Sequence, residues 1–432
     1  LYGFDYLHPV STKGRVTHSI HFTTDVLIAG AGPAGASTSI FLAREKIPHI
    51  IIDKASFPRD KVCGDAISGK SIWVLDKISS EWQRFFCTAH QSLVTQGIQF
   101  IAPNNTRLTI PFSTNSNQEG TPIGFVSRRV DFDNTLAGFI DHNYATLLMG
   151  TALEDIEEVP DGLLVTILLQ GERKVIFTKM IVGAEGRSSM VAKKLAAHSM
   201  YPAHYSAGIR AYYRNVSGIH EENHIELHFL KELQPGYLWI FPLPNGAANV
   251  GVGMLSKAVS AKKINLKQMM LQLIATHPSL KYRFTNAVME GEITGWGLPL
   301  GSVKRRLSGN RFVLTGDAGS LIDPFTGEGI GNAMVSGLVA ARTIKKATEL
   351  NNFSAALLQQ YDHDLYKKLW AELRLSHYLQ MLCSKPRLFN FVIGKASRSR
   401  ELKETISCMF GNVDIRKKFM NPFFYLKILL NR

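Results

Sequence analysis

Thr24-Asp25-Val26-Leu27-Ile28-Ala29-Gly30-Ala31-Gly32-Pro33-Ala34-Gly35 decides the fold. Thr24 to Ala29 is a short apolar strand, and Pro33 to Glu45 places Ala34, Ile40, Leu42 and Ala43 at helical spacing. His49 to Asp53 then carries Ile50, Ile51 and Ile52 in succession, the pattern of a strand buried on both faces. The turn between first strand and helix has the form GxGxxG. Gly30 permits the tight turn, Gly32 lets a pyrophosphate approach the backbone, and Gly35 allows the helix to pack closely on the strand. The open N–H groups of the helix N-terminus face the phosphates. Asp53 ends the second strand eighteen residues after Gly35, where a carboxylate accepts hydrogen bonds from ribose hydroxyls. Strand, turn, helix, strand and acid in register predict a dinucleotide site, with NAD and FAD both open at this point.

The rest of the chain fills in a split architecture. A polar loop, Phe57 to Gly69, follows the second strand. Antiparallel strands are expected over residues 92–126, a helix from Asp131 to His142, and strands at Leu163–Leu169 and Val175–Val182. Residues 200–300 read as strand-rich and aromatic, with few long helical patterns. The parallel-strand signature returns at Phe312-Val313-Leu314-Thr315, and a helix starts near Gly329 and runs to about Leu350. Pieces of one α/β layer thus appear early, in the middle and late. The expected fold is α/β: a Rossmann-type domain split over 24–92, 127–198 and 305–350, an inserted β-rich substrate domain over 93–126 and 199–304, and a helical, basic C-terminal region over 351–432.

The totals limit the chemistry. A chain of 432 residues with 45% hydrophobic and 19% charged residues builds a real core. The net charge is +14, and eleven Lys and Arg against three acids lie from Lys385 onward. No nucleic-acid recognition motif accompanies this charge, so an anionic surface or ligand is the better partner. Cys63, Cys87, Cys383 and Cys408 form no CxxC, which argues against a disulfide framework, an iron–sulfur cluster or a structural metal and fits a reducing cytoplasm. There is no run of eighteen apolar residues, and Leu1 to Thr24 lacks the pattern of a secretory leader.

Three further stretches choose the cofactor. Phe57-Pro58-Arg59-Asp60-Lys61-Val62-Cys63-Gly64-Asp65 resembles the FPRxKxCG segment of the geranylgeranyl reductase family, which belongs to a wider group with aromatic hydroxylases and flavin-dependent halogenases. Gly183-Ala184-Glu185-Gly186-Arg187-Ser188 resembles that group's GADGxxS segment, with Glu185 where Asp is usual. Gly316-Asp317-Ala318, followed by Asp323-Pro324-Phe325-Thr326-Gly327-Glu328-Gly329-Ile330-Gly331, resembles its GDAA and GEG segments. The resemblance covers roughly 24–345 and implies a glutathione-reductase-like FAD-binding domain. Carried over position by position, it implies FAD contacts from Gly30, Gly32, Pro33, Ala34, Gly35, Asp53, Lys54, Arg59, Cys63, Gly64, Arg129, Leu153, Asp317, Gly327, Gly329 and Ile330. Arg129 opens an RxxFD segment with Phe132 and Asp133, and Leu153 stands where a backbone contact to adenine is usual.

The substrate side resembles the same family. Tyr237-Leu238-Trp239-Ile240-Phe241-Pro242 with Asn249-Val250-Gly251-Val252-Gly253 is similar to its YxWxFP…NVGxG strand pair, which lines the substrate face of the flavin. The implied activity is transfer of hydride from reduced flavin to a carbon–carbon double bond of a prenyl or other hydrophobic substrate. NAD(P)H or a reduced electron carrier would dock transiently, since no second GxGxxG occurs. Cys63, then Asp65, are the candidate proton donors, with Trp239 on the substrate wall, and no metal ligand is expected. A flavin-dependent monooxygenase or halogenase and an electron-relay flavoprotein stay open as alternatives. Asn421 to Arg432 mixes large apolar residues with cations and reads first as a helix docked on the catalytic domain with a solvated basic face, or else as a segment suited to an anionic membrane surface, so the expected location is cytoplasmic or peripheral at the inner face of the membrane.

Overall fold

The computed structural model describes residues 19–88, 90–111 and 124–399. The strand Phe22–Ala29 lies at the centre of an eight-stranded sheet. It pairs in parallel with His49–Ile52 on one side and Glu172–Gly183 on the other. Parallel pairing continues outward to Ala145–Leu148 and to Phe312–Leu314. These strands come from the early, middle and late parts of the chain, so the split expected from sequence is the topology observed. Their apolar runs are fully buried at Val26, Leu27, Ile28, Ile51, Ile181 and Val313. Gly162–Leu169 and Thr151–Val159 extend the layer as antiparallel strands.

Two helices cover one face of this sheet. Pro33–Arg44 begins with Pro at its first position and has nearly every residue buried. Ile330–Glu349 packs across it at small residues. A Cβ added at Gly337 would stand 2.5 Å from the Ala34 carbonyl oxygen and 2.9 Å from Thr38 N. The helix expected from Asp131 to His142 instead spans Arg129–Ala137. Gly138 ends it, and Asp141 holds the following turn through Asn143 N.

The second sheet has seven strands and carries the aromatic block. Tyr205–Arg214, Ala247–Leu255 and Gly236–Pro242 form its antiparallel centre. Gly97–Ile101 joins it in parallel beside Ile225–His228. Not all of residues 92–126 goes there. Phe125–Ser127 is the middle strand of a small third sheet, paired with Ala66–Ile67 on one side and Ser92–Val94 on the other, directly beside the Cys63–Asp65 loop. The 200–300 block is also less purely β than its composition suggests. Leu266–Thr276 is a helix, capped by the Asn265 side chain accepting from Gln268 N, with Leu266, Met270, Leu273 and Ile274 buried against the sheet. That is the i, i+4, i+7, i+8 pattern of an amphipathic helix.

The C-terminal region is helical as expected, over Ala355–Cys383 and Pro386–Arg398. Leu358, Tyr361, Leu365, Leu369 and Leu373 pack into the core of the first sheet's helical layer. Asn421 to Arg432 and Cys408 lie outside the described residues. Among the described residues, no helix is long and apolar enough to cross a membrane.

Replacing Gly337 by Ala should wedge the two covering helices apart and destabilise the protein by about 1–3 kcal/mol. Gly394→Ala is the matched control, because a Cβ there meets nothing within 4 Å. It should leave stability unchanged or raise it by up to ~1 kcal/mol through helix propensity. Urea unfolding midpoints of the two variants check both.

Candidate functional site

A cleft runs along the carboxyl ends of the parallel strands. Gly30, Gly32, Arg59, Cys63, Gly64, Asp317, Gly327 and Gly329 are each only half-buried, while Ala31, Pro33, Asp65, Gly316 and Ile330 beside them are buried. Close contacts tie the segments into one site. A Cβ at Gly30 would stand 2.3 Å from the Ala184 carbonyl oxygen, and one at Gly35 would stand 1.7 Å from that of Gly30. Gly316 would meet Ala34 Cβ at 3.1 Å, which sets the start of the late segment against the first helix. Lys61 Nζ reaches Asp317 Oδ2 at 3.4 Å, and Asp317 Oδ1 lies 3.7 Å from where a Gly329 Cβ would stand. Residues almost 290 apart in sequence therefore border one groove.

The cleft fits a dinucleotide. Gly32 is the N-cap of the first helix and no side chain caps it, so its backbone donors stay open to a pyrophosphate. Asp53 is buried and held at both oxygens, by Ala31 N at 2.8 Å and Ala55 N at 2.9 Å. Arg59 lies over the turn, with Nη2 3.5 Å from where a Gly32 Cβ would stand and 3.9 Å from Asp53 Oδ2. Lys54 is exposed beside Asp53. Leu153 sits half-buried in the Thr151–Val159 strand, two residues after Thr151, whose N–H donates to the Asp53 carbonyl oxygen. At the far end the Asp317 and Gly327–Ile330 segments lead into the Ile330–Glu349 helix, whose N-terminus favours an anion.

Arg129, expected as a cofactor contact, lies buried beside the cleft. Its guanidinium is 2% exposed and forms a two-pronged bond with Asp133, at 2.7 and 2.6 Å. Burial works against that cation, but Asp133 and the Cys63 thiol outweigh it, and its pKa is raised. Arg59 also bonds Asp133, at 2.9 Å. The two arginines are thus joined through one buried carboxylate, and Arg129 reaches the cleft through Cys63 and Arg59. Glu185 does not point into the cleft either. Its longer side chain accepts from Ser189 Oγ, Met190 N and Val191 N, and so caps the short Met190–Lys194 helix.

Beyond the cleft lies an apolar cavity. Its wall includes Gly64, Tyr237, Trp239, Phe241, Leu298, Leu300, Phe325 and Gly327, so two of the cleft's own residues also line the cavity. Trp239 is sunk into the facing strand. A Cβ at Gly251 would stand 2.2 Å from its ring, and Gly253 and Gly208 would meet it at 3.6 and 3.9 Å. Tyr237 Oη donates to the Thr326 carbonyl oxygen at 2.5 Å, fastening this wall to the turn before Gly327.

Behind Gly64 is a buried polar network. Asn249 accepts from Trp239 Nε1 at 2.8 Å and donates at 2.7 Å to both the Cys63 carbonyl oxygen and Asp65 Oδ2. Tyr212 Oη donates to the same Asp65 oxygen at 2.8 Å. Asp65 is wholly buried with φ of 69°, a left-handed conformation that a non-glycine residue adopts only under constraint. Burial pushes its carboxyl up to about 6, against the pull of Asn249, Tyr212, Arg210 and Arg129. Burial also raises the Cys63 thiol, with Arg129 opposing. Both groups therefore hold protons more tightly than in water.

Sequence reasoning passed over Asn249, Tyr212 and Lys70 as site residues. Lys70 is buried and bonds Asn332 Oδ1 at 2.8 Å and Glu372 Oε1 at 2.6 Å, with Glu328 at 3.5 Å. Burial disfavours its charge, but Glu372, Glu328 and Asp323 more than offset this, so its pKa is raised. Glu328 in turn accepts from Gly331 N at 2.6 Å. Lys70 thus anchors the Gly327–Gly331 turn to the Ala355–Cys383 helix. The sequence signal was a lysine at a buried position of an apolar helix. Elsewhere, His220, Glu222 and His224 bring donor atoms within 4.8 Å of one another. The two imidazoles stack with centroids 3.8 Å apart at 15°, so their in-plane lone pairs run parallel and do not converge on an ion.

Comparison with known proteins places this geometry. The family model described as FAD binding domain matches residues 23–375. The chain is 28% identical over 342 residues to a digeranylgeranylglycerophospholipid reductase of Thermoplasma acidophilum, covering 79% of this chain and 82% of that protein. It is 26% identical over 399 residues to a menaquinone reductase of Mycolicibacterium smegmatis, covering 90% and 91%. Among solved structures, a geranylgeranyl bacteriochlorophyll reductase-like protein from Thermoplasma acidophilum matches with a TM-score of 0.77 at 22% identity, over 92% of this chain and 98% of that one. A flavin-dependent brominase matches with a TM-score of 0.76 at 18% identity, over 94% and 99%. The two structural likenesses speak to fold, and they bear out the split Rossmann-type FAD-binding architecture. The family match spans the Gly30–Gly35 turn, Asp53, Asp317 and the Gly327–Ile330 segment together, and the chain belongs to the FAD binding domain family as an FAD-dependent oxidoreductase.

Proposed function

We propose that the protein saturates carbon–carbon double bonds in a prenyl chain, with electrons delivered to it by NAD(P)H or a reduced carrier that docks transiently. The observation that carries this reading is the apolar cavity, which shares Gly64 and Gly327 with the dinucleotide cleft. A long hydrocarbon has few polar groups to satisfy, and a wall of aromatic and aliphatic side chains is what it requires. The relatives named above act, by name, on a digeranylgeranylglycerophospholipid and on menaquinone, and both molecules carry polyprenyl chains.

When bound, FAD supplies the hydride. The chain's own residues do the rest. Gly30 to Gly35, Asp53 and Arg59 would hold the diphosphate and ribose, and Asp317 and Gly327 to Ile330 the far end of the cofactor. Trp239 and Phe241 would hold the substrate chain and exclude water. Cys63 Sγ holds the proton that completes saturation, since its thiol is kept protonated by burial. Asp65 positions Cys63 through Asn249, which bonds both the Cys63 carbonyl oxygen and the Asp65 carboxyl.

The deciding experiment is anaerobic turnover. FAD-loaded protein reduced with dithionite should convert a geranylgeranyl lipid, which dithionite alone leaves unchanged, to a product heavier by one pair of hydrogens per bond reduced, read by mass spectrometry. A strict need for oxygen would sink the proposal and favour a monooxygenase or halogenase. Cys63→Ala should slow product formation by about 10²-fold, the usual worth of a positioned proton donor, while bound FAD is still reduced at the normal rate.

Asp65 carries a second expectation. Its carboxyl is raised in the folded protein, so folding favours the protonated form. That contribution is present below about pH 4 and is lost as pH rises through about 6. Between about pH 5 and about pH 7.5 the wild type should therefore lose about 1–2 kcal/mol relative to Asp65→Asn. Denaturant midpoints of the two proteins at both pH values test this.

A further inference from the structure

We propose that the end of the Ala355–Cys383 helix and the Pro386–Arg398 helix form the face by which the protein sits on an anionic lipid bilayer, so that a lipid substrate passes from the bilayer into the cavity. The proposal rests on the prenyl-lipid reading for its purpose, but its observations are independent of that reading.

The composition is one-sided. From Leu373 to Ser399 there is no Asp or Glu, and the cations are Arg374, Lys385, Arg387, Lys395 and Arg398. Large apolar side chains are exposed in the same stretch: Tyr378 at 55%, Met381 at 46%, Leu388 at 45% and Phe391 at 45%. On the second helix the two kinds of residue share a side. Leu388, Phe391, Lys395 and Arg398 follow each other at intervals of three, four and three, which is one helical face. Phe389, Ile393 and Ala396 are buried on the opposite face. A helix that buries one apolar stripe in its own domain and exposes a second one edged with cations has the chemistry of an interfacial helix.

Position joins this face to the site. Phe389, on the buried side, packs against Phe229 with the rings tilted and their centroids 4.8 Å apart, and Phe229 lines the cavity. Gln380 and Cys383, from the last turns of the preceding helix, line it as well. These two helices are therefore a wall with the cavity on one side and the exposed apolar, cationic face on the other. A hydrocarbon chain taken up here would not cross bulk water, which disfavours every exposed methylene.

The test is vesicle sedimentation of the full-length, FAD-loaded protein. It should pellet with vesicles of phosphatidylcholine containing a minority of phosphatidylglycerol, bind pure phosphatidylcholine more weakly, and be released by salt. L388S/F391S should weaken binding at least about tenfold, and K385E/R387E should do so by a similar factor. L271S is the control, because Leu271 is exposed at 41% on a distant helix, and it should bind as wild type does. All variants should keep FAD and should turn over detergent-dispersed substrate at the wild-type rate. Failure of that turnover in the wild type would count against the proposed activity and leave the vesicle result standing. Unchanged vesicle binding in both double variants would overturn the membrane proposal. So would binding that ignores lipid charge, or a variant effect that appears only as a change of oligomeric state or of folding stability.

Discussion

Everything in this protein depends on how closely backbone can approach backbone at the start of the first helix. A pyrophosphate is held by N–H groups that no other group has taken, and those groups must face a groove. The Gly30–Gly35 turn meets that demand by pressing against Ala184 on one side and, through Gly316 and Ala34, against the late segment on the other. Two helices from opposite ends of the chain touch at small residues, and that contact draws the Asp317 to Ile330 stretch into range. The rest of the cleft is a consequence of that single approach. Arg59, Lys61 and Asp317 only have to reach across a gap already set.

The parallel sheet, the turn and the late GEG segment were legible because their physics is local. A tight turn needs glycine at set positions, and a strand buried on both faces needs an unbroken apolar run. What stayed hidden is non-local. Arg129 and Asp133 stand one helical turn apart in the sequence, but only the fold shows that Arg59, 74 residues away, shares the same buried carboxylate. Ser92–Val94 and Phe125–Ser127 read as part of the β-rich block, but they pair with each other and, through Phe125–Ser127, with Ala66–Ile67 beside the Cys63–Asp65 loop, and pairing of strands this short is set by tertiary packing. Glu185, in a segment that reads as part of the cleft, caps the short Met190–Lys194 helix, which its own sequence neighbourhood does not announce.

The polar network behind Gly64 was also out of sight. Asn249 occupies a buried position in an otherwise apolar strand, and only the fold shows that Trp239, Cys63 and Asp65 meet on its one amide. A buried amide of this kind is strong glue, since each of its groups would cost about 1–3 kcal/mol if left unpaired. It couples the cavity's aromatic wall to the loop that carries the thiol.

Trp239 rests in a hollow made by absent side chains at Gly251, Gly253 and Gly208. The floor of the chamber is thus as deep as three missing methyl groups allow. Any side chain at position 251 would lift the indole toward Gly64 and Leu298 and shorten the space ahead of it. The depth of this chamber is therefore set from beneath the ring, by residues that contribute no side chain, and a change there would alter the room in front of the indole without altering the indole itself.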